Sequence, residues 1–135
     1  MNFVRRVTGA GNFLRRLAGA VVLATVLAAA PPAAAQFVPG IADLPMMDGL
    51  GGDSEGPVVF DTPHGRIVVA TASGGLDKKS VHAFYAATLP QLGWQRLSEG
   101  NFRREDESLK LVISALPGGR IRVRFRLAPV PARAP

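Results

Sequence analysis

Four arginines alternate with apolar residues near the end of the chain, at a spacing that suits the binding of an anion. The alternating run consists of Arg120, Ile121, Arg122, Val123, Arg124, Phe125, Arg126 and Leu127. Because successive side chains of a β-strand point to opposite faces, this run predicts a strand with one apolar face and one row of guanidinium groups about 6–7 Å apart. Guanidinium groups donate paired hydrogen bonds to carboxylates and phosphates. The arginine row is therefore a candidate binding site for an extended anionic partner.

Lys110 is predicted to join this candidate site. If residues 116–119 form a tight turn, the resulting hairpin brings Lys110 close to Arg124 on the same face of the sheet. Neighbouring like charges destabilise a sheet, so either a bound anion or nearby carboxylates must offset them. In the second case the row is an ordinary solvated sheet face. The carboxylates that could offset it belong to residues 36–61 and to Glu99, Glu105, Asp106 and Glu107.

Residues that could support catalysis or metal binding do not form a recognisable pattern. The chain has no Cys and no Gly-x-Ser-x-Gly motif, and Ser80 and His82, two positions apart on a predicted helix, point in different directions. His64 and His82 are the only histidines and lack the HxH or HxxxH spacing of metal ligands. Consecutive acids at 105–107 are more typical of a solvated turn than of an acid/base pair. The glycines at 49–52 are not followed by the Lys that a phosphate-binding loop requires. We therefore expect no enzyme, no catalytic residue, no metal and no cofactor.

Residues 76–94 predict the one helix of the chain after the first 35 residues. Its apolar side chains recur at helical spacing and form a single stripe, consisting of Val81, Phe84, Tyr85, Thr88, Leu89 and Leu92. Asp77 is placed to cap the first turn, so the helix begins directly after it. Pro90 cannot donate a hydrogen bond to residue 86, so the helix ends near Thr88 and Gly93 provides a left-handed exit.

Strand-forming runs flank this helix on both sides. Residues 57–61 and 66–71 are joined by a Thr-Pro-His-Gly turn, which predicts a hairpin before the helix. The predicted strands after the helix cover residues 94–97, 102–104, 108–114 and 120–127. The predicted fold class is α+β, with one helix packed on one face of an antiparallel sheet, in roughly the order β-β-α-β-β-β.

The residues on either side of this predicted domain, which spans 57–128, show neither helical nor strand periodicity. Residues 36–56 are rich in Gly, Pro and Asp and predict a flexible acidic linker, and residues 129–135 predict a disordered Pro-rich tail. Apolar residues at Leu44–Leu50 interrupt the linker, which favours either loose contact with the domain or docking on a partner. Residues 36–61 contain five acids and no base, so positive charge is concentrated in the rest of the mature chain.

The first 35 residues have the organisation of a secretory signal peptide. Four arginines at 5, 6, 15 and 16 precede an uncharged apolar run at 17–30, and small residues at 33–35 offer a cleavage site before Gln36. The run falls short of the roughly 20 residues that cross a bilayer, which favours cleavage over an uncleaved anchor. This segment holds four of the 16 basic residues and none of the ten acids, so cleavage reduces the formal charge from +6 to +2. Without Cys, neither a lipoprotein anchor nor a disulfide is possible.

The helix exit resembles that of small exported bacterial envelope proteins of unknown function, which share an FY-x3-LP-x-LGW-like pattern. The matching residues are Phe84, Tyr85, Leu89, Pro90, Leu92, Gly93 and Trp94. The resemblance implies the fold and an exported, periplasmic location, and it implies no activity. We expect an envelope binding or scaffold module with a protein partner. The alternative is a module that binds phospholipid headgroups or lipopolysaccharide through its arginines, and no nucleic-acid partner is expected because aromatic residues are few.

Overall fold

The computed structural model describes residues 29–30 and 35–131 of the chain. The predicted signal peptide lies outside the described residues, apart from residues 29, 30 and 35. Most of the predicted tail, residues 132–135, also lies outside them. Within the described ranges, no helix is both long enough and apolar enough to cross a membrane.

The described residues form seven strands and one α-helix. In chain order they are β1 (Leu50–Gly52), β2 (Val58–Thr62), β3 (Gly65–Gly74), α1 (Lys78–Thr88), β4 (Gln95–Ser98), β5 (Asn101–Arg104), β6 (Glu107–Leu116) and β7 (Arg120–Pro129). Short 3-10 turns follow α1 at Leu89–Leu92 and precede β7 at Pro117–Gly119. The predicted α+β class is confirmed, and the order agrees roughly with the prediction. The structure has one more strand on each side of the helix, because the short strand β1 is added before it and four strands rather than three follow it.

All strands belong to one antiparallel sheet. The strand order is β1-β3-β7-β6-β5-β4, and β2 also pairs with β3. Since β7 occupies one edge of β3 along residues 68–74, β1 and β2 both lie along its other edge. β7, the last of the described strands in sequence, therefore lies in the middle of the sheet. It pairs with β3 of the hairpin that precedes the helix and with β6, which follows the helix.

The helix covers one face of this sheet, which we call the inner face. Tyr85 of α1 packs edge-on against Phe125 of β7, with 5.5 Å between the ring centroids. The alternation in β7 is as predicted, because Ile121, Val123 and Phe125 are buried on the inner face while the arginines between them are exposed. The opposite face, called the outer face, carries no helix of the described chain.

Both ends of α1 form as the sequence predicts. The carboxylate of Asp77 accepts a hydrogen bond from the backbone N–H of Ser80 at 2.8 Å and from its hydroxyl group at 2.6 Å. These bonds hold the pKa of Asp77 below its usual value. At the other end Pro90 lies in the 3-10 turn, and Gly93 ends it with φ 86°, a left-handed conformation that glycine adopts without steric cost.

The prediction of a flexible linker over residues 36–56 needs correction. Five side chains of this segment are buried in the core, namely Val38, Ile41, Leu44, Met46 and Leu50. The segment packs alongside β3, whose inner-face residues Ala70, Ala72 and Gly74 are small enough to admit it. Leu44–Leu50 thus docks on its own domain, and it leaves Ala83 and Ala87 of the helix exposed.

The end of the domain also lies further along the chain than predicted. β7 continues to Pro129, and the backbone N–H of Val130 donates to the carbonyl oxygen of Asp106 at 2.7 Å. Ala128 is buried. Residues 129–130 therefore belong to the folded domain and not to a disordered tail.

Candidate functional site

The structure places the four arginines of β7 side by side on the outer face, where all four are exposed. Hydroxylated residues of β3 and β6 lie beside two of these arginines. Arg122 lies between Ser73 and Ser114 in the ladder, and Arg124 lies between Thr71 and Val112. Hydroxyl groups beside guanidinium groups add hydrogen-bond donors of the kind that bind phosphate.

Lys110 is on this face as predicted, but its direct neighbour is not Arg124. The turn at Pro117–Gly119 has three residues, so β6 and β7 pair from Leu116 and Arg120 onward. This register sets Lys110 opposite Arg126, and Arg124 is its diagonal neighbour two residues away. The positive charges of the two strands are therefore adjacent at the Arg126 end of the row.

One further cation belongs to the same surface and was not predicted from the sequence. Arg103 of β5 pairs with Ser108 of β6, which is two positions before Lys110 and so points to the outer face. We call the six exposed cations of this surface the basic face. They are Arg103, Lys110, Arg120, Arg122, Arg124 and Arg126.

No acidic side chain occupies an outer-face position in the described strands. The two acids within strands are Asp61 and Glu107, and the register of each places it on the inner side. Asp61 pairs with Arg66, which alternates with the buried Val68, and Glu107 alternates with the buried Leu109. The two strand acids thus lie on the inner side, together with Arg66, Arg96 and Arg104, whereas the charged strand residues of the outer face are all cations.

Three of the carboxylates expected to offset the arginine row, those of Asp43, Glu99 and Glu107, pair with groups outside the basic face. Glu107 lies 3.6 Å from Arg104, and Glu99 lies 3.4 Å from His82. Among the residues that the structure describes, no carboxylate oxygen lies within 4.0 Å of a cation of the basic face. Glu105 and Asp106 are exposed in the turn between β5 and β6.

The acidic segment before β2 contributes carboxylates at one end of the basic face. A cleft of about 380 Å³ lies between the loop that carries Asp53 and Glu55 and the side chains of Arg122 and Arg124. The loop is held in place because the backbone N–H of Asp53 donates to the carbonyl oxygen of Thr71 at 3.1 Å. The carboxylates of this loop therefore offset positive charge at the Arg122 end of the basic face. The other end, formed by Arg126, Lys110 and Arg103, stays positive.

Three exposed apolar side chains share the outer face with these cations. Val58 and Phe60 of β2 lie beyond β3, and Val112 of β6 lies beside Arg124. Apolar residues beside cations give the face an amphipathic character that suits the boundary between lipid headgroups and acyl chains.

Arg104, the last residue of β5, has a structural role on the inner side of the sheet. Its guanidinium group lies 2.9 Å from the carboxylate of Asp43 and 4.4 Å from the centroid of the Trp94 ring. The hydrogen bond to Asp43 raises the pKa of Arg104 further above its ordinary value. Arg104 therefore ties the segment before β1 to the sheet, and it is unavailable to an anion on the outer face.

The residues considered for catalysis lie apart from one another. Ser80 bonds to Asp77 at the start of α1, and His82 lies beside Glu99. Within the described residues there is no group of three or more His, Cys, Asp or Glu side chains that could hold a metal ion. His64 lies in the exposed turn between β2 and β3. No family model matches the chain, and no curated protein or solved structure matches it either.

Proposed function

We propose that the protein is an exported, non-catalytic binding module of the cell envelope, and that its basic face binds anionic envelope material. The observation that carries this proposal is the positive charge of the outer face. Six exposed cations lie on the outer face, and no strand acid accompanies them there. Such an arrangement destabilises a sheet unless an anion offsets it, and so favours a surface kept for a partner.

The geometry of the basic face favours a partner with repeated anionic groups. Along β7 the arginines recur at about 6–7 Å, and neighbouring strands are about 4.8 Å apart. Arg126 and Lys110 are directly opposite each other, so that one phosphate could accept hydrogen bonds from both. Phospholipid headgroups and the phosphates of lipopolysaccharide offer this chemistry at a surface.

Export is supported by the sequence alone. The arginines, apolar run and small-residue site of the first 35 residues have the order of a cleaved signal peptide. Recovery of the protein from the extracytoplasmic fraction, with its chain starting at or near Gln36 by mass spectrometry, is the expected result. An intact form that begins at Met1 and stays with the membrane would contradict export.

Binding is tested with protein recovered from that fraction of cells that express the full chain. We expect binding to vesicles that contain anionic phospholipid and to lipopolysaccharide, weak binding to neutral vesicles, and a steep loss at high salt because exposed charges are screened. The variant Arg124→Ser plus Arg126→Ser should bind roughly 30-fold more weakly, since each cation near an anionic surface contributes about 1 kcal/mol.

The matched control changes the same net charge away from the basic face. Lys79 of α1 and Arg96 of β4 are exposed and lie outside it, so Lys79→Ser plus Arg96→Ser should retain most of the binding. Equal losses in the two double variants would mean that net charge alone drives association. Negligible binding by the unmodified protein at low salt would refute the anionic partner and leave a protein partner as the remaining function.

A further inference from the structure

β2 presents an exposed apolar strand edge. It pairs with β3 along one side, and no described strand pairs with it along the other. Three consecutive residues of β2, Val58, Val59 and Phe60, are 52%, 44% and 53% exposed. Val58 and Phe60 point to the outer face, and Val59 points to the inner side. An apolar strand with unpaired backbone groups along one edge is a template for pairing with another strand.

The opposite edge of the sheet, formed by β4, is protected from pairing with another chain, whereas the β2 edge is not. β4 contains Arg96 and a register shift between Arg96 and Ser98, and both a charge and a bulge discourage pairing with another chain. β2 pairs with β3 in an unbroken register and has no charged residue before Asp61. This contrast indicates that the β2 edge receives a partner.

We propose that β2 pairs antiparallel with β2 of a second copy of this chain, with Val59 opposite Val59 of the second copy. Val58 of each copy then lies opposite Phe60 of the other on the outer face, and pairs of an aromatic and a β-branched residue stabilise neighbouring strands. Asp61 falls opposite Pro57, so no like charges lie directly opposite each other. A register centred on Phe60 would instead place Asp61 opposite Val59 and Thr62 opposite Val58, so that only Phe60 would keep an apolar partner.

The charges at the two ends of β2 favour the same arrangement. Asp53 and Glu55 precede the strand, whereas Arg66 follows it and lies 3.6 Å from Asp61 at the end of β2. Antiparallel pairing brings the start of one strand beside the end of the other. The acidic loop of each copy therefore lies near the exposed guanidinium group of its partner's Arg66, and this contact occurs twice by symmetry.

The pairing also determines where the two basic faces lie. Directly opposite residues of antiparallel strands share a face, so the two copies form one continuous sheet with both basic faces on the same side. Two faces in one plane bind an anionic surface with greater avidity than either alone. The contact involves one short strand per copy, so the dimer forms reversibly and depends on concentration. It does not depend on the anion binding proposed above.

Single-cysteine variants test the register, since the chain has no Cys of its own. Directly opposite Cβ atoms lie about 4.5–5.5 Å apart, close enough for a disulfide with slight adjustment. Under mild oxidation of protein made from the full chain, Val59→Cys should form a disulfide-linked dimer quickly. Phe60→Cys, which faces Val58 of the partner, should crosslink more slowly, and so should Leu97→Cys on the opposite edge. Equal rates for the three variants would overturn the proposal.

Sedimentation equilibrium over a range of concentrations tests the association itself. The unmodified protein should change reversibly from monomer to dimer, and Val59→Lys should weaken the dimer at least about tenfold because it sets two ammonium groups opposite each other. Leu97→Lys, at a side chain that is 60% exposed, should leave the dimer unchanged. Circular dichroism shows whether each variant is folded. A protein that stays monomeric at every concentration would refute the pairing, and vesicle binding by that monomer would leave the proposed function intact.

Discussion

The hydroxyl group of Tyr85 donates a hydrogen bond to the carbonyl oxygen of Pro45 at 2.9 Å and accepts one from the backbone N–H of Met47 at 3.3 Å. One side chain of α1 thus joins the helix to a segment about 40 residues earlier in the chain. The ring of Tyr85 is fully buried, between Phe84 and Phe125. Loss of the hydroxyl group would therefore leave two backbone groups without this partner.

Tyr85→Phe should lower the free energy of unfolding by about 1–3 kcal/mol, the usual effect of leaving buried polar groups unsatisfied. Urea denaturation measures it, with the fluorescence of Trp94, the only tryptophan, as the signal. An unchanged unfolding midpoint would show that water replaces the hydroxyl group at no cost.

Stability should also fall at alkaline pH. Burial raises the pKa of Tyr85 from 10.0 to about 12, because the ionised ring is poorly solvated in the core. The unfolded chain then loses the phenolic proton before the folded chain does, so the contribution of Tyr85 is constant below pH 10 and stability falls by up to about 2–3 kcal/mol as the pH rises to 12. Tyr85 is the only tyrosine, so its ultraviolet absorbance reports the titration directly. Tyr85→Phe should lose this part of the pH dependence.

Gly74→Ala should detach the segment before β2 from the sheet. A Cβ atom at Gly74 would overlap the carbonyl oxygen of Gly49, which is backbone and cannot rotate away. We expect faster proteolysis and faster hydrogen exchange in residues 36–52. The matched control is Gly51→Ala in β1, where a Cβ atom meets no neighbour within 4 Å. Equal protection in the two variants would contradict the packing described above.

Trp94→Ala should destabilise the fold by about 3–5 kcal/mol, because it empties a buried site and removes the ring over which Arg104 lies. Leu97→Ala, at an exposed position of β4, should change stability by less than about 0.5 kcal/mol. Thermal unfolding distinguishes them. A fully stable Trp94→Ala variant that no longer binds anionic vesicles would instead make Trp94 a binding residue.

Ala83→Glu plus Ala87→Glu should have little effect. Both alanines are exposed on α1, and the segment before β1 lies on the other side of the helix, at Tyr85. The free energy of unfolding should change by less than about 0.5 kcal/mol, and the oligomeric state should stay the same. A loss of dimer in this double variant would place a contact on the helix and not on β2.

The elements predicted most accurately are those whose ends carry local signals. Asp77, Pro90 and Gly93 each act within a turn of their own position, so the bounds of the helix follow from chemistry that a sequence displays directly. The alternation of β7 is likewise local, since a period of two is visible in ten residues.

The docking of residues 36–56 could not be predicted in the same way. Its buried side chains follow no single period, because their spacing is set by contacts with β3 and α1. A signal was present at Ala70, Ala72 and Gly74, where three small residues alternate on a face that needs cover. These small residues indicate a docked segment only when the sheet face to which they belong is known.

Five of the six cations of the basic face are predicted from the sequence, but their pairing is not. The position of Lys110 opposite Arg126 depends on the length of the turn before β7, and a different turn would have shifted it along the strand. The place of Arg103 on this face could not be predicted, because β5 has only four residues, too few to show an alternating pattern.

The central place of β7 also has a consequence for the order in which the chain folds. The strands that flank β7 in the sheet, β3 and β6, cannot be joined until this last strand is available, and Thr71 must find Arg124 across more than fifty residues. Contacts so distant in sequence form late. During the export that we propose, the chain would therefore remain unfolded until nearly all of it had been synthesised. Passage through a secretion channel requires an unfolded chain.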